Sequence, residues 1–246
     1  MALVLGAVTD ALPVPFWEGL TAWLNQRGQP CDFTLFPNEE AQRAAHFDGK
    51  IDVAWCSPLA WILTTRAARR LNRVALAVAM RDVDLDRSSA VLVRAAGPLR
   101  TLADLKGKKV AAAEGDAVEA RLIPVLHLAE AGGLTPNTDF DLVLRDARDL
   151  THALMAGAVD AACVADDTPV PDGARVLTQT APYDRFVVAT VGKTDHRHFV
   201  ELLVAMGDDF AARPLLALSG GKAWRPGRNQ GYAQLERAFA RFGKID

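Results

Sequence analysis

Short apolar runs alternate with longer segments whose apolar residues recur every three or four positions, and the alternation persists along nearly the whole chain. Ala2 to Val8 is an apolar run closed by Thr9-Asp10, the pattern of a buried strand. Val14 to Arg27 follows with Phe16, Leu20, Trp23 and Leu24 at helical spacing. Asp32 to Phe36 alternates as a second strand, Asn38 is placed to cap a helix over Glu39 to Phe47, and Ile51 to Cys56 predicts a third strand. Ser57-Pro58 opens the next helix, with Ser57 at the cap and Pro58 at the first helical position, where its missing N–H costs nothing. The first third of the chain is thus a β-α-β-α-β-α unit.

The pattern then shifts. Arg73 to Met80 and Ala90 to Arg94 read as strands on either side of the polar segment Arg81 to Ser89, where the chain is expected to leave a first lobe. Leu102 to Leu105 is a short helix stopped by Gly107, Lys109 to Ala113 a strand, and Ala117 to Ala131 a helix with a proline inside. A strand over Phe140 to Leu144, a helix over Asp149 to Ala156 and a strand over Val159 to Val164 complete a second lobe. After the proline-bearing stretch Thr168 to Gly173, the strand Phe186 to Val191 is expected to return the chain to the first lobe. The helical segments Asp195 to Arg213 and Tyr232 to Phe242 are expected to pack there too.

One pattern occurs twice. Gly49-Lys50-Ile51-Asp52-Val53-Ala54-Trp55-Cys56 returns as Gly157-Ala158-Val159-Asp160-Ala161-Ala162-Cys163, and in both places a turn glycine, an Asp and an apolar run follow an amphipathic segment. Two similar α/β lobes follow, the first from 1–86 with 183–246 and the second from 87–182. Open α/β sheets take ligands beyond the carboxyl ends of their strands, so two such lobes are expected to form a ligand cleft.

Composition narrows the class. With 246 residues, half of them apolar, the chain has ample material for two cores, and a net charge of −2 with evenly spread Lys, Arg, Asp and Glu leaves no electrostatic footprint for nucleic acid. No segment is apolar and long enough to span a bilayer. Cys31, Cys56 and Cys163 lack CxxC or Cys/His spacing and read as buried thiols; no cofactor and no metal is expected. Met1 to Val8 has no basic leader, so the chain as written is expected in the cytoplasm, or in the periplasm if a leader has been removed.

Several blocks, taken in order, carry a resemblance. Leu5-Gly6-Ala7-Val8, Gly49-x-Ile51-Asp52-Val53-Ala54-Trp55-x-Ser57-Pro58, Ser89-Ala90-Val91-Leu92-Val93-Arg94, Leu102-Ala103-Asp104-Leu105-Lys106-Gly107-Lys108-Lys109-Val110-Ala111 and Gly157-Ala158-Val159-Asp160 are similar, over Leu3 to about Val191, to the phosphonate/phosphate substrate-binding proteins of ABC transporters. The resemblance implies a type II periplasmic-binding-protein fold: two Rossmann-like lobes, two crossover segments, and closure on a small anion. It also locates departures. Where the family presents small hydroxyl residues and a glycine at a helix start, this chain has Asp116-Ala117-Val118-Glu119. Each carboxylate facing a phosphonate charge at ~4 Å would cost on the order of 4 kcal/mol at an effective dielectric of 20. The family's tyrosine near Ser57-Pro58 is Trp61, its hinge tyrosine is Arg87, and its histidine near Ala147 is missing.

The ligand-binding candidates are therefore Thr9, Asp10, Ser57, Trp61, Arg87, Asp116, Glu119, Arg121 and Asp166. Each also has a structural reading. Ser57 caps a helix; Trp61 is either core or an apolar wall; Asp10 and Asp166 hold turns. Asp116 and Glu119 have the spacing of a capping box for the helix Ala117 to Ala131. As ligand groups the same two carboxylates would take a cationic or hydroxylated solute, with Arg87, Arg121 and Arg148 returning positive charge. The leading expectation is a solute-binding protein of altered specificity, taking a small polar ligand and, if exported, partnering an ABC permease. The alternatives are a cytoplasmic biosynthetic enzyme of lyase or synthase type on the same scaffold, and a ligand-sensing or partner-binding module.

Overall fold

The computed structural model describes residues 2–243. Met1 and 244–246, which the expected first lobe included, lie outside the described residues. The chain forms two compact units, Met1–Leu85 with Asp184–Tyr232, and Asp86–Tyr183 with the stretch from Ala233.

Unit one holds a six-stranded sheet. Its strands are β1 (Leu3–Val8), β2 (Cys31–Phe36), β3 (Val53–Cys56), β4 (Ala75–Arg81), β10 (Val187–Val191) and β11 (Trp224–Pro226) in the order β11-β4-β10-β3-β1-β2. β1 runs parallel to β2 and β3, whereas β10 lies antiparallel to both β3 and β4. Helices α1 (Val14–Gln26), α2 (Glu39–Phe47), α3 (Pro58–Arg70), α6 (Arg197–Ala205) and α7 (Arg213–Leu218) belong to this unit. Phe16, Trp17, Leu20 and Leu24 of α1 meet Leu5, Val53, Trp55 and Val188 of the sheet and Phe199 and Leu203 of α6 in one core. The spacing of the α1 residues places them on one helical stripe, which is why so regular a pattern was legible in the sequence.

Unit two holds a five-stranded sheet. It comprises β5 (Ser89–Arg94), β6 (Lys109–Ala113), β7 (Asp141–Arg145), β8 (Ala161–Ala165) and β9 (Ala174–Gln179), in the order β7-β6-β8-β5-β9. The interiors of its central strands are continuously apolar because both faces are covered. Val91 and Val93 of β5, Val110 and Ala112 of β6, and Ala161 and Cys163 of β8 enter one core, while Ala90, Leu92, Ala111, Ala113, Ala162 and Val164 enter the other. Helices α4 (Ile123–Gly132) and α5 (Leu150–Met155) belong to this unit.

The duplicated motif has the same job in both units. Gly49 and Gly157 end their helices with φ of 72° and 73°, a left-handed geometry that side chains resist. Three residues on, Asp52 grips the start of the neighbouring parallel strand: its N–H donates to the Val4 carbonyl at 2.8 Å and its Oδ2 accepts the Val4 N–H at 2.7 Å. Asp160 does the same with Lys109, at 2.8 and 2.9 Å. The clasp pins β3 to β1 and β8 to β6, fixing registers that a one-residue slip would invert.

The C-terminal helix departs from expectation. α8 (Ala233–Phe242) packs in unit two, against α4 and the turn before it, rather than with unit one, to which 183–246 was assigned as a whole. Leu235, Ala238 and Phe239 form its buried face, Arg237 pairs with Glu130 of α4 at 3.0 Å, and Gln234 donates to the carbonyls of Ala181 and Pro182. Helical periodicity specifies an apolar face but not the surface that covers it. α6 and α7 do belong to unit one.

Candidate functional site

In unit one the candidates cluster at the carboxyl ends of β1 and β3, which are adjacent strands. The loop after β1 is tied to the end of β2, since both the N–H and the hydroxyl of Thr9 donate to the Phe36 carbonyl at 3.0 Å. Asp10 follows in an exposed turn. Ser57 is the expected cap of α3: its hydroxyl accepts the Ala60 N–H at 3.1 Å, with Pro58 in the first turn. Trp61 resolves to the core reading. It is 2% exposed and lies against Tyr232 with ring centroids 5.9 Å apart, so it does not wall a site from the surface of this unit.

Beside this edge a buried cation is already neutralised. Arg81, at the end of β4, binds Asp84 through Nε at 2.5 Å and Nη2 at 3.0 Å and also donates to the Ser219 carbonyl. Its guanidinium sits 4.8 Å from the centre of the Trp55 ring, which stacks on Phe186. Burial pushes the Asp84 carboxyl up while Arg81 pulls it down. The pair is a structural plug with no charge left for a ligand.

In unit two the candidates gather on the corresponding edge: Asp116, Glu119 and Arg121 after β6, Asp166 after β8, and Arg87 before the antiparallel β5. The capping-box expectation fails here. Val118–Leu122 is a single π-helical turn preceding α4, its cap position is Ala117, and no side chain caps it. Pro124 supplies the physical reason. It has no N–H to donate, and its ring would collide with the Ala120 carbonyl in a regular α-helix, so the turn widens and Leu122 N–H reaches the Ala117 carbonyl instead. Arg121 folds back to donate to the Gly115 carbonyl.

The arginines expected to return positive charge are largely engaged. Arg87 pairs with Asp166 and with Asp167, the latter at 3.1 Å, while Asp166 also accepts the Ser88 N–H at 3.0 Å. Arg148 forms a two-point pair with Asp146, at 3.0 and 2.7 Å, which holds that carboxyl far below the usual range. The arginine that reading the sequence missed is Arg145, the last residue of β7. It is half-buried, and its Nε is buried with no hydrogen-bond partner.

Cys31, Cys56 and Cys163 are buried, and burial pushes each thiol up to about 12, away from the thiolate a nucleophile needs. Among the described residues no cluster of three or more His, Cys, Asp or Glu side chains is arranged to hold a metal. His196, the cap residue of α6, shares a hydrogen bond with the Thr190 hydroxyl at 3.1 Å.

With both sheet edges described, comparison with known proteins decides the class. The family model for periplasmic phosphonate substrate-binding proteins of ABC transporters matches residues 12–232. The chain belongs to this family. Solved structures show the same fold at low identity. XAC2383 from Xanthomonas citri, determined with chloride ion and with ATP, is 18% identical with a TM-score of 0.71, over 98% of this chain and 98% or 97% of that one. PhnD1 from Prochlorococcus marinus, in complex with methylphosphonate, is 14% identical with a TM-score of 0.65 over 99% of each chain. The periplasmic aliphatic sulphonate binding protein SsuA from Escherichia coli is 18% identical with a TM-score of 0.58, over 98% of this chain and 86% of that one. No curated protein matches the sequence. No helix among the described residues is long and apolar enough to cross a membrane.

Proposed function

We propose that the protein is the periplasmic solute-binding component of an ABC importer, holding a small polar ligand without changing it and delivering it to a membrane permease, with a specificity moved away from phosphonate dianions. The family match over residues 12–232 supports binding and delivery over catalysis. The observation that carries the change of specificity is the turn after β6. Asp116 and Glu119 stand in the segment that leads into α4, where repulsion by two carboxylates penalises a doubly charged head. Thr9, Asp10 and Ser57 on the edge of unit one, and Asp116, Glu119 and Asp166 on the edge of unit two, are the residues we assign to ligand binding. Trp61 is core, Arg87 is held by two aspartates and Arg121 is turned back to the Gly115 carbonyl, so none of the three is retained.

Calorimetric titration tests the reading. Methylphosphonate and inorganic phosphate are expected to bind more weakly than micromolar near neutral pH. Micromolar or tighter binding of either would return the protein to phosphonate specificity.

A further inference from the structure

We infer that Arg145 is the anion-pairing residue of the ligand site in unit two and that the ligand therefore carries a singly charged oxyanion head, an inference that rests on the solute-binding function proposed above. Four observations converge on this residue.

Arg145 ends β7 at the carboxyl edge of a sheet, the edge at which such sheets take ligands. It lies opposite Ala113 of β6, and its carbonyl accepts the Glu114 N–H at 2.9 Å, so it sits beside the turn that leads to the π-helical segment. Strand alternation puts it on the same face as Val143, which packs on the same core as Ala117 and Ala120 at the start of that segment. Its Nε is buried without a hydrogen-bond partner, and its guanidinium makes no ion pair with any described residue.

Its neighbours make the contrast plain. Arg87 is held by Asp166 and Asp167, Arg148 by Asp146, and Arg121 by the Gly115 carbonyl. A buried donor left unsatisfied is costly, and more so when charged, so a chain that keeps one at a binding edge gains from it when an acceptor arrives. A guanidinium offers two parallel N–H groups to an oxyanion such as a sulfonate or carboxylate. One guanidinium matches one negative charge. A second charge on the same head would find no second guanidinium of this kind on that edge.

The test compares the parent with Arg145→Met, Arg145→Lys and Arg148→Met by thermal shift and calorimetry, using methanesulfonate, acetate and methylphosphonate as probes. Methanesulfonate or acetate is expected to stabilise the parent, with methylphosphonate weaker than either. Arg145→Met is expected to lose tenfold or more in affinity while melting at or above the parent temperature without ligand, because no intramolecular partner is lost. Arg145→Lys should recover part of the affinity, and Arg148→Met should bind as the parent does. Three outcomes overturn the inference: Arg145→Met binds the probe unchanged; Arg145→Met and Arg145→Lys both melt well below the parent, which marks a structural arginine; or no singly charged probe stabilises the parent. The last outcome leaves the solute-binding function standing, with a neutral or cationic ligand in place of an acid.

Discussion

Asp52 and Asp160 each hold the start of a neighbouring strand by two points, a backbone donor and a carboxylate acceptor. Replacing either by Ala should cost about 1 to 2 kcal/mol, the range for a hydrogen bond to a charged group that is partly open to water. The double variant should show the sum, because the clasps lie in separate units and share no partner. Chemical denaturation of the two single variants and the double variant checks both statements. The position of such side chains was legible because their neighbours along the chain mark it, a helix end, a glycine and a strand, although the strand each one holds is remote in sequence. Ser57 is of the same kind, recognisable from the proline after it. Arg145 was not, because what distinguishes it is the lack of a partner, and partners come from elements remote in sequence. Arg87 and Arg148 misled for the converse reason. A sequence displays a charge but not the aspartate that cancels it.

At the scale of elements, α8 is the part whose place is most informative. Leu235 is fully buried in it, facing α4 and the turn before α4. Leu235→Ala should destabilise unit two by about 3 kcal/mol, in the usual range for a buried leucine. Hydrogen exchange should then show protection lost first in Ile123–Gly132, with the strands of unit one unaffected; loss confined to unit one would contradict the packing described here. Most strands and helices followed from apolar periodicity, and those that did not have identifiable reasons. β9 follows Pro169, Pro171 and Gly173, which read as loop, and it is an edge strand with Val176 largely exposed. β11 is three residues long and ends in proline, too short for any period to show. The π-helical turn before α4 was legible as a helix but not as a wide one, although the proline that causes it was in view.

For the molecule as a whole, acid acts on the fold through its buried and half-buried histidines. His46 is almost fully buried, and its Nε2 accepts the Val191 N–H at 3.1 Å, which requires the neutral ring. Burial lowers its pKa to about 4, from the usual 6.5. Between these values the unfolded chain binds the proton and the folded one does not, so stability rises with pH through the window and is lost as pH falls from about 6.5 toward 4. The contribution is on the order of 3 kcal/mol. Burial shifts His127 and His196 in the same direction. Melting temperatures measured from pH 7 to pH 4 should fall, and His46→Gln should flatten part of that slope; an unchanged slope would remove His46 from the account. The two-unit architecture and the family were legible at this scale because the repeat, the turns and the order of elements all agreed. The sign of the ligand charge was not, since it depends on which arginines remain unpaired.

The order of strands in unit one also bears on how the protein comes into being. β10 is central in that sheet, between β3 and β4, yet it lies more than a hundred residues after either. All five strands of unit two are encoded within the intervening stretch. During synthesis from the amino terminus, the second sheet has every strand available while the first still lacks its middle. The half of the protein made first is the half whose sheet is finished last.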